Sequence, residues 1–180
     1  MRFRKTSANP GEGKSTISVN LASALASNGK RVVIIDGDMR KPVIHSIFEQ
    51  PGQPGLANFL SGGASLVEIL KPTQIPDLFL IPAGPVPPNP VQLVTSEAFM
   101  ELLKELEKDF NYVIVDTPPL IGFTEARAIS SLADGVLLVV KHHETSRGAV
   151  RLAVQLLSQV KGPILGAVLN MVQSHCCPAR

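Results

Sequence analysis

Short apolar runs alternate with helical patterns along this chain of 180 residues. The runs are rich in β-branched residues and are apolar on both faces, as the strands of a buried parallel sheet are. They occupy residues 31–36, 78–82, 112–116, 135–141 and 164–170. The helical patterns occupy residues 14–28, 43–49, 96–108, 124–132 and 146–160. The alternation predicts a single three-layer α/β domain with a mostly parallel sheet and helices on both faces.

Composition excludes several classes of protein. Hydrophobic residues make up 44% and charged residues 18%, which excludes intrinsic disorder. The net charge is only +2, and the one basic cluster is Arg2, Arg4 and Lys5, so no nucleic-acid partner is expected. No run of apolar residues is long enough to span a membrane. The two cysteines, Cys176 and Cys177, are adjacent and frame no disulfide scaffold, which favours a reducing cytoplasm.

The segment 8–15, ANPGEGKS, has the spacing of a phosphate-binding loop, with Ala8 where the strict pattern has glycine. Its glycines let the backbone turn successive N–H groups toward phosphate oxygens. The helix that starts near Lys14 adds its positive N-terminal end. Lys14 can reach the β- and γ-phosphates, and the Ser15 hydroxyl can bind Mg²⁺. The alternative is an ordinary glycine-rich turn before a helix.

Two acidic motifs follow predicted strands. In VIIDGDMR, Asp36 and Asp38 come at the end of a strand, with Arg40 beside them; in VIVDTPP, Asp116 ends another strand. Ligand sites of open α/β sheets lie at this edge, so the carboxylates are expected near the phosphate loop and its Mg²⁺. The alternatives are a solvated turn for the first pair and a turn or cap for Asp116.

The residues before the phosphate loop form a poor central strand. A loop of this kind should follow a buried apolar strand, but residues 1–7, MRFRKTS, include three basic side chains. Charges in the centre of a sheet would be buried without partners. We therefore expect that the chain starts inside a larger protein or that this segment differs from its relatives.

Together the three motifs resemble those of the bacterial tyrosine kinases of capsule and exopolysaccharide synthesis, which are P-loop NTPases. That family follows its phosphate loop with three apolar residues and Asp-x-Asp-x-Arg, and then with three apolar residues and Asp-x-x-Pro; both patterns occur here. GDMRKP, ending at Pro42, and GPVPPNP at residues 84–90 are also similar. The resemblance covers about residues 6–172. It implies a cytoplasmic domain that uses ATP and Mg²⁺ to phosphorylate tyrosines on itself and on sugar-activating or polymerising enzymes.

The resemblance also implies a role for individual residues. The ATP phosphates would be held by Pro10, Gly11, Glu12, Gly13, Lys14, Ser15 and Thr16. Mg²⁺ would be organised by Ser15, Asp38 and Asp116. Asp36 would orient or deprotonate the attacking tyrosine hydroxyl. The catalytic residues that the resemblance implies are Lys14, Asp36, Asp38, Arg40 and Asp116. Asn170 would contact adenine, the alternative being an ordinary asparagine at the end of a strand.

The chain departs from the family in its tyrosines. The family ends in a tyrosine cluster that it autophosphorylates, whereas this chain has a single tyrosine, Tyr112, in a predicted buried strand. The family also carries an upstream helix that drives ring-shaped oligomers. We expect residues 1–180 to be a kinase domain without these two parts. The expected partners are tyrosine-bearing substrates, a membrane adaptor or membrane-anchored segment at the inner face of the cell membrane, and further copies of the chain in a homo-oligomer.

Two other functions are consistent with a phosphate loop. Partitioning and septum-positioning ATPases of the same fold carry an extra lysine early in the loop, where this chain has Asn9 followed by Pro10. A non-catalytic ATP-gated scaffold would bind nucleotide and change its partners without transferring phosphate. Phosphotransfer to a tyrosine-bearing partner, compared with nucleotide binding alone, separates the kinase from the scaffold.

Overall fold

Strands and helices alternate through residues 2–172, the part of the chain that the computed structural model describes, with side chains described from Thr6 onward. Cys176 and Cys177 lie outside the described residues. The strands are β1 (Arg2–Ser7), β2 (Val32–Asp36), β3 (Lys71–Pro72), β4 (Leu78–Ile81), β5 (Tyr112–Asp116), β6 (Gly135–Lys141) and β7 (Ile164–Asn170). The helices are α1 (Lys14–Ser27), α2 (Ile44–Ile47), α3 (Leu56–Leu60), α4 (Leu66–Ile69), α5 (Pro90–Val94), α6 (Glu97–Asp109), α7 (Thr124–Ser131) and α8 (Arg147–Gln159).

The strands of the described residues form one sheet in the order β3-β4-β2-β5-β1-β6-β7. Every neighbouring pair is parallel except β3 and β4, which pair antiparallel at one edge. Parallel neighbours need a crossover connection, and the longer helices α1, α6, α7 and α8 lie between consecutive parallel strands. The predicted mostly parallel sheet is confirmed.

Residues 2–7, which were expected to make a poor central strand, form the interior strand β1. It lies between β5 and β6, and its backbone pairs in parallel with both. Thr6 and Ser7, at its end, are fully buried. A place inside a sheet depends on pairing with neighbouring strands as well as on a segment's own residues. Because it pairs on both sides, this basic segment is an interior strand of the sheet and not an edge strand.

Helices cover both faces of the sheet. On β2, Val33 and Ile35 pack into one core and Val32 and Ile34 into another, and all four are 0% exposed. The first core includes the apolar face of α6 with Phe99, and the second includes α1. A strand that buries both faces needs apolar residues at every position, which explains the unbroken apolar run. The predicted three-layer architecture is confirmed.

The carboxyl ends of β1, β2 and β5 meet at one edge of the sheet. Asp36, at the end of β2, is the register partner of Asp116, at the end of β5. Strand β1 neighbours β5 and leads into the phosphate loop, after which α1 begins at Lys14. The three motifs therefore reach the edge where ligand sites of such sheets lie.

The helices of residues 2–172 are short. The longest, α1, has 14 residues. Among the described helices, none has both the length and the apolar character that a bilayer crossing requires.

Candidate nucleotide-binding site

The phosphate loop is a tight turn between β1 and α1. Gly11 and Gly13 have φ angles of +76° and +80°, a left-handed conformation that glycine adopts at little cost. A Cβ atom on Gly13 would lie 2.2 Å from Nδ2 of Asn170, so any larger residue there would displace the Asn170 amide. Gly13 is the N-cap of α1, whose first N–H groups have no intrahelical acceptor and suit an anion.

Asp116 joins the start of α1 to the sheet. Ser15 Oγ donates a 2.6 Å hydrogen bond to Asp116 Oδ2, and Ser18 Oγ donates a 2.9 Å bond to Oδ1. The Asp116 side chain is only 1% exposed. Burial raises its pKa, while the hydrogen bond from Ser15 and the charge of Lys14 oppose the rise. No sequence motif marks Ser18, although it lies three residues after Ser15 and so on the same helix face.

Asp36, which was predicted to act as a base on the tyrosine hydroxyl, lies buried beneath the segment that follows β2. Its carboxylate is fully buried and accepts N–H bonds from Asp38 at 3.3 Å and from Val43 and Ile44 at 3.1 Å. Desolvation by burial and the nearby charge of Asp116 raise its pKa to about 7. In this structure Asp36 shapes the segment 37–44; its predicted contact with a tyrosine hydroxyl stays a prediction.

Asp38 and Arg40 face the cavity from the loop after β2. Asp38 Oδ1 accepts the backbone N–H groups of Arg40 at 3.3 Å and Lys41 at 3.0 Å. Arg40 Nε donates to Glu125 Oε1 at 2.5 Å, and the Arg40 guanidinium lies 5.4 Å from the centre of the Phe123 ring. Because Glu125 is buried in the first turn of α7, it holds Arg40 in place. No sequence motif marks Glu125.

These residues surround a cavity of about 530 Å³, within the range of small-molecule sites. Its lining combines most of the phosphate loop with the loop after β2 and the segment before α7. The lining residues are Pro10, Gly11, Gly13, Lys14, Ser15, Thr16, Asp38, Arg40, Lys41, Val43, Pro119 and Phe123. Asp36 and Asp116 lie behind this lining. The structure therefore brings the three predicted motifs together around one cavity.

Two residues predicted to bind nucleotide, Glu12 and Asn170, lie beside the cavity and not in its lining. Glu12 is 2% exposed, and its carboxylate accepts hydrogen bonds from Asn9 N–H and from the Thr145 hydroxyl. Asn170 Nδ2 donates to the backbone oxygen of Glu12 at 2.9 Å. Contacts of these two residues with a nucleotide stay a prediction.

The oxygen groups at the cavity have the chemistry that Mg²⁺ prefers. Within residues 2–172, no cluster of three or more His, Cys, Asp and Glu side chains forms a complete metal cage. Mg²⁺ usually binds one or two protein carboxylates and takes its other ligands from phosphates and water. Ser15, Asp38 and Asp116 offer a hydroxyl and carboxylates next to the phosphate loop, which fits that pattern.

The chain is similar to several known proteins. The AAA domain family matches residues 7–164. Tyrosine-protein kinase YwqD of Bacillus subtilis is 37% identical over 165 residues, which are 92% of this chain and 70% of that protein. Tyrosine-protein kinase CpsD of Streptococcus pneumoniae serotype 4 is 40% identical over 166 residues, 92% of this chain and 73% of that protein. The kinase domain of the Escherichia coli tyrosine kinase ETK has a TM-score of 0.94 at 30% identity, covering 99% of this chain and 70% of that one.

A more distant likeness concerns the fold alone. The septum site-determining protein MinD of Pyrococcus horikoshii, complexed with Mg-ADP, has a TM-score of 0.79 at 22% identity, covering 93% of this chain and 69% of that one. The matches at 37% and 40% identity, over most of both chains, define the closer relationship. The fold is that of an AAA-domain P-loop protein, a class that uses nucleotides. Within that class, the chain belongs to the bacterial tyrosine-protein kinases.

The raised pKa of Asp36 predicts that the nucleotide-free protein loses stability as pH rises. A carboxyl whose pKa is higher in the folded state favours folding when protonated. This contribution is complete below the unfolded pKa near 3.8 and is lost as pH rises through about 7. Between pH 5 and pH 8 we expect the free energy of unfolding to fall by roughly 2 kcal/mol through Asp36 alone.

Urea unfolding of the parent chain and of Asp36→Asn, at several pH values in this range, measures the effect. The asparagine variant should lose less stability on going to pH 8, because its side chain does not ionise. Parallel pH profiles for the two proteins would contradict the assignment to Asp36.

Proposed function

We propose that the cavity binds ATP with Mg²⁺ and that the enzyme transfers the γ-phosphate to tyrosine hydroxyls of proteins that control capsule or exopolysaccharide synthesis. One observation carries this proposal. The 2.6 Å bond between Ser15 and Asp116 joins the phosphate loop to the third motif, while Asp38 and Arg40 of the second motif line the same cavity as Lys14. Membership of the tyrosine-protein kinases supplies the reaction class.

In this proposal the phosphate loop binds the triphosphate. The turn at Gly11 and Gly13 and the N-terminus of α1 supply N–H groups, which favour negative charge. Lys14, which is 8% exposed and lines the cavity, adds a cation beside the β- and γ-phosphates. Because the Lys14 side chain is mostly buried, it loses less conformational freedom on pairing with a phosphate than an exposed lysine would.

Ser15, Asp38 and Asp116 would hold the metal ion in this proposal. Bound Mg²⁺ would neutralise part of the charge that develops on the transferred phosphoryl group. Asp116 also fixes the hydroxyl of Ser15 through their hydrogen bond, so the two oxygen groups are positioned together.

The transfer itself depends mostly on positioning and on cations near the phosphate. Tyrosine has a pKa near 10, far above that of a free aspartate. A pKa of about 7 makes Asp36 a better proton acceptor near neutral pH than a free aspartate is. Its carboxylate is buried beneath the segment 37–44, so we propose that the acceptor hydroxyl reaches it through a shift of this segment that still keeps the carboxylate out of bulk water.

We further propose that residues 1–180 act as a kinase domain together with parts that this sequence does not contain. A tyrosine cluster and an oligomerising helix, as the family resemblance implies, would supply the acceptor and the homo-oligomer. A membrane adaptor or membrane-anchored segment would place the domain at the inner face of the cell membrane, in the cytoplasm.

Replacing Lys14 with methionine should weaken nucleotide binding roughly 100-fold, because a buried cation beside the phosphates is lost. Isothermal titration calorimetry with Mg-ATP measures the affinity. Lys30→Met is the matched control, since Lys30 is exposed beyond the end of α1 and should bind like the parent. Equal affinity of Lys14→Met and the parent would contradict the proposed site.

Replacing Asp36 with asparagine should preserve nucleotide affinity within a few-fold and lower phosphotransfer about 100-fold or more, as loss of a general base does. Transfer of labelled phosphate from ATP to a tyrosine-containing copolymer measures the rate. Asp109→Asn, at the exposed end of α6, is the matched control. Labelling by Asp36→Asn at the parental rate would show that Asp36 plays no part in the transfer.

The isolated chain should not phosphorylate its own Tyr112. This residue is half-buried at the start of β5, whereas Asp116, at the other end of that strand, marks the cavity edge of the sheet. Four residues of extended strand span about 13 Å, so the hydroxyl of Tyr112 cannot reach a phosphate at that edge of its own sheet. Mass spectrometry after incubation with Mg-ATP tests this, with Tyr112→Phe as the control. Stoichiometric phosphate on Tyr112 would overturn the prediction.

A further inference from the structure

We propose that Glu12, Thr145 and Asn170 are positioning residues that set the shape of the phosphate loop before nucleotide binds. Together with Asn9 they form a group of contacts that we call the Glu12 clasp. The proposal rests on the proposed function, because the loop they hold is the one assigned to the ATP phosphates. None of the three side chains lines the cavity, so they act through the loop backbone.

The carboxylate of Glu12 is the centre of the clasp. It is 2% exposed, and each of its oxygens has a partner. Oε2 accepts the N–H of Asn9 at 3.0 Å, and Oε1 accepts the hydroxyl of Thr145. A buried carboxylate needs such partners, and hydrogen bonds to a charged acceptor are stronger than those between neutral groups. Glu12 therefore closes the loop on itself through Asn9 and attaches it to a distant segment through Thr145.

Thr145 belongs to the turn between β6 and α8. Its Oγ1 accepts the N–H of Lys141 at 2.9 Å, and its own N–H donates to the backbone oxygen of Lys141 at 3.1 Å. The hydroxyl oxygen thus has a donor within its own turn, and its hydrogen is directed to Glu12. Two hydrogen bonds between Lys141 and Thr145 therefore close this turn, and the Thr145 hydroxyl points to the phosphate loop.

Asn170, at the end of β7, holds the backbone of Glu12. Its Nδ2 donates to the Glu12 carbonyl oxygen at 2.9 Å. In a planar trans peptide the carbonyl of one residue and the N–H of the next point in opposite directions. The Glu12 carbonyl points to Asn170, so the N–H of Gly13 points away from Asn170, and Gly13 lines the cavity. Asn170 would therefore direct this N–H toward a bound phosphate.

The clasp explains how a glycine-rich loop keeps one conformation without a ligand. Glycine has more backbone freedom than any other residue, so a loop with two glycines loses entropy when it becomes ordered. If contacts within the protein already hold the loop, less of this entropy is lost on binding and affinity is higher. The clasp also connects the loop to the ends of β6 and β7, since His142 N–H donates to the Asn170 backbone oxygen at 2.9 Å.

Thr145→Val tests the hydroxyl of the clasp. The variant keeps the shape of the side chain but leaves Glu12 without one donor, so we expect roughly tenfold weaker binding of Mg-ADP in calorimetry. Thr145→Ser keeps the hydroxyl and should restore affinity to within about twofold. Thr73→Val is the matched control, because Thr73 also accepts one backbone N–H and donates to a backbone oxygen, in the segment between β3 and β4. Parental affinity of Thr145→Val, or equal weakening in the serine variant, would overturn the proposal.

Asn170→Leu separates a positioning role from a contact with adenine. The leucine side chain cannot donate to the Glu12 carbonyl and adds no charge beside the phosphates, so the N–H of Gly13 loses its orientation. We expect weaker binding of both Mg-ADP and Mg-pyrophosphate, by a similar factor. A contact with the base would weaken only ADP, and that result, or unchanged binding of both, would overturn the positioning role of Asn170.

Hydrogen exchange on the nucleotide-free protein tests the clasp without any ligand. In Thr145→Val, the amide of Asn9, which donates to Glu12, should exchange about tenfold faster than in the parent and in Thr73→Val. Unchanged exchange would overturn the clasp even if nucleotide affinity falls. A parent chain that binds no ADP would instead contradict the proposed function, while the exchange rates would still decide whether the clasp exists.

Discussion

Two hydrogen bonds from Ser15 and Ser18 to Asp116 attach the first turn of α1 to the carboxyl end of β5. A buried carboxylate needs hydrogen-bond donors, and Asp116 obtains these two from α1, the helix that follows the phosphate loop. The direction of α1, the position of Lys14 and the course of the loop therefore depend on the sheet. On the other side of the loop, the contacts of Glu12 with Thr145 and Asn170 attach it to β6 and β7. The loop is therefore attached to the end of β5 through α1, and to the ends of β6 and β7 through Glu12.

The same arrangement concentrates negative charge at the edge of the sheet. Asp36 and Asp116 are register partners on adjacent strands, and burial together with their mutual repulsion raises the pKa of Asp36. The site carries acidic groups whose ionised forms are poorly solvated. Nearby cations relieve this cost, as Lys14 does when it opposes the rise in the pKa of Asp116. The electrostatics of these carboxylates thus favour the Mg²⁺ ion that the protein is proposed to bind.

Several features could be predicted from local sequence because they depend on nearby residues. The turn at Gly11 and Gly13, the start of α1 at Lys14 and the strands that end in Asp36 and Asp116 are of this kind. Features formed by contacts between distant segments could not. Glu125 holds Arg40 from 85 residues away, and Thr145 reaches Glu12 from 133 residues away. Neither residue belongs to a motif, since only the fold makes them neighbours.

The amino-acid sequence by itself determined the three layers, the strands β2, β4, β5, β6 and β7 and the three motifs, because alternation of apolar runs with helical patterns and the turn chemistry of glycine act over short distances. Only the tertiary structure decided that the basic segment of β1 is a central strand, because its place depends on pairing with β5 and β6. It also decided that Asp36 lies buried behind its loop and that Glu12 faces Thr145 and not the cavity. Burial and side-chain direction result from packing between segments far apart in the chain, and no single segment encodes them.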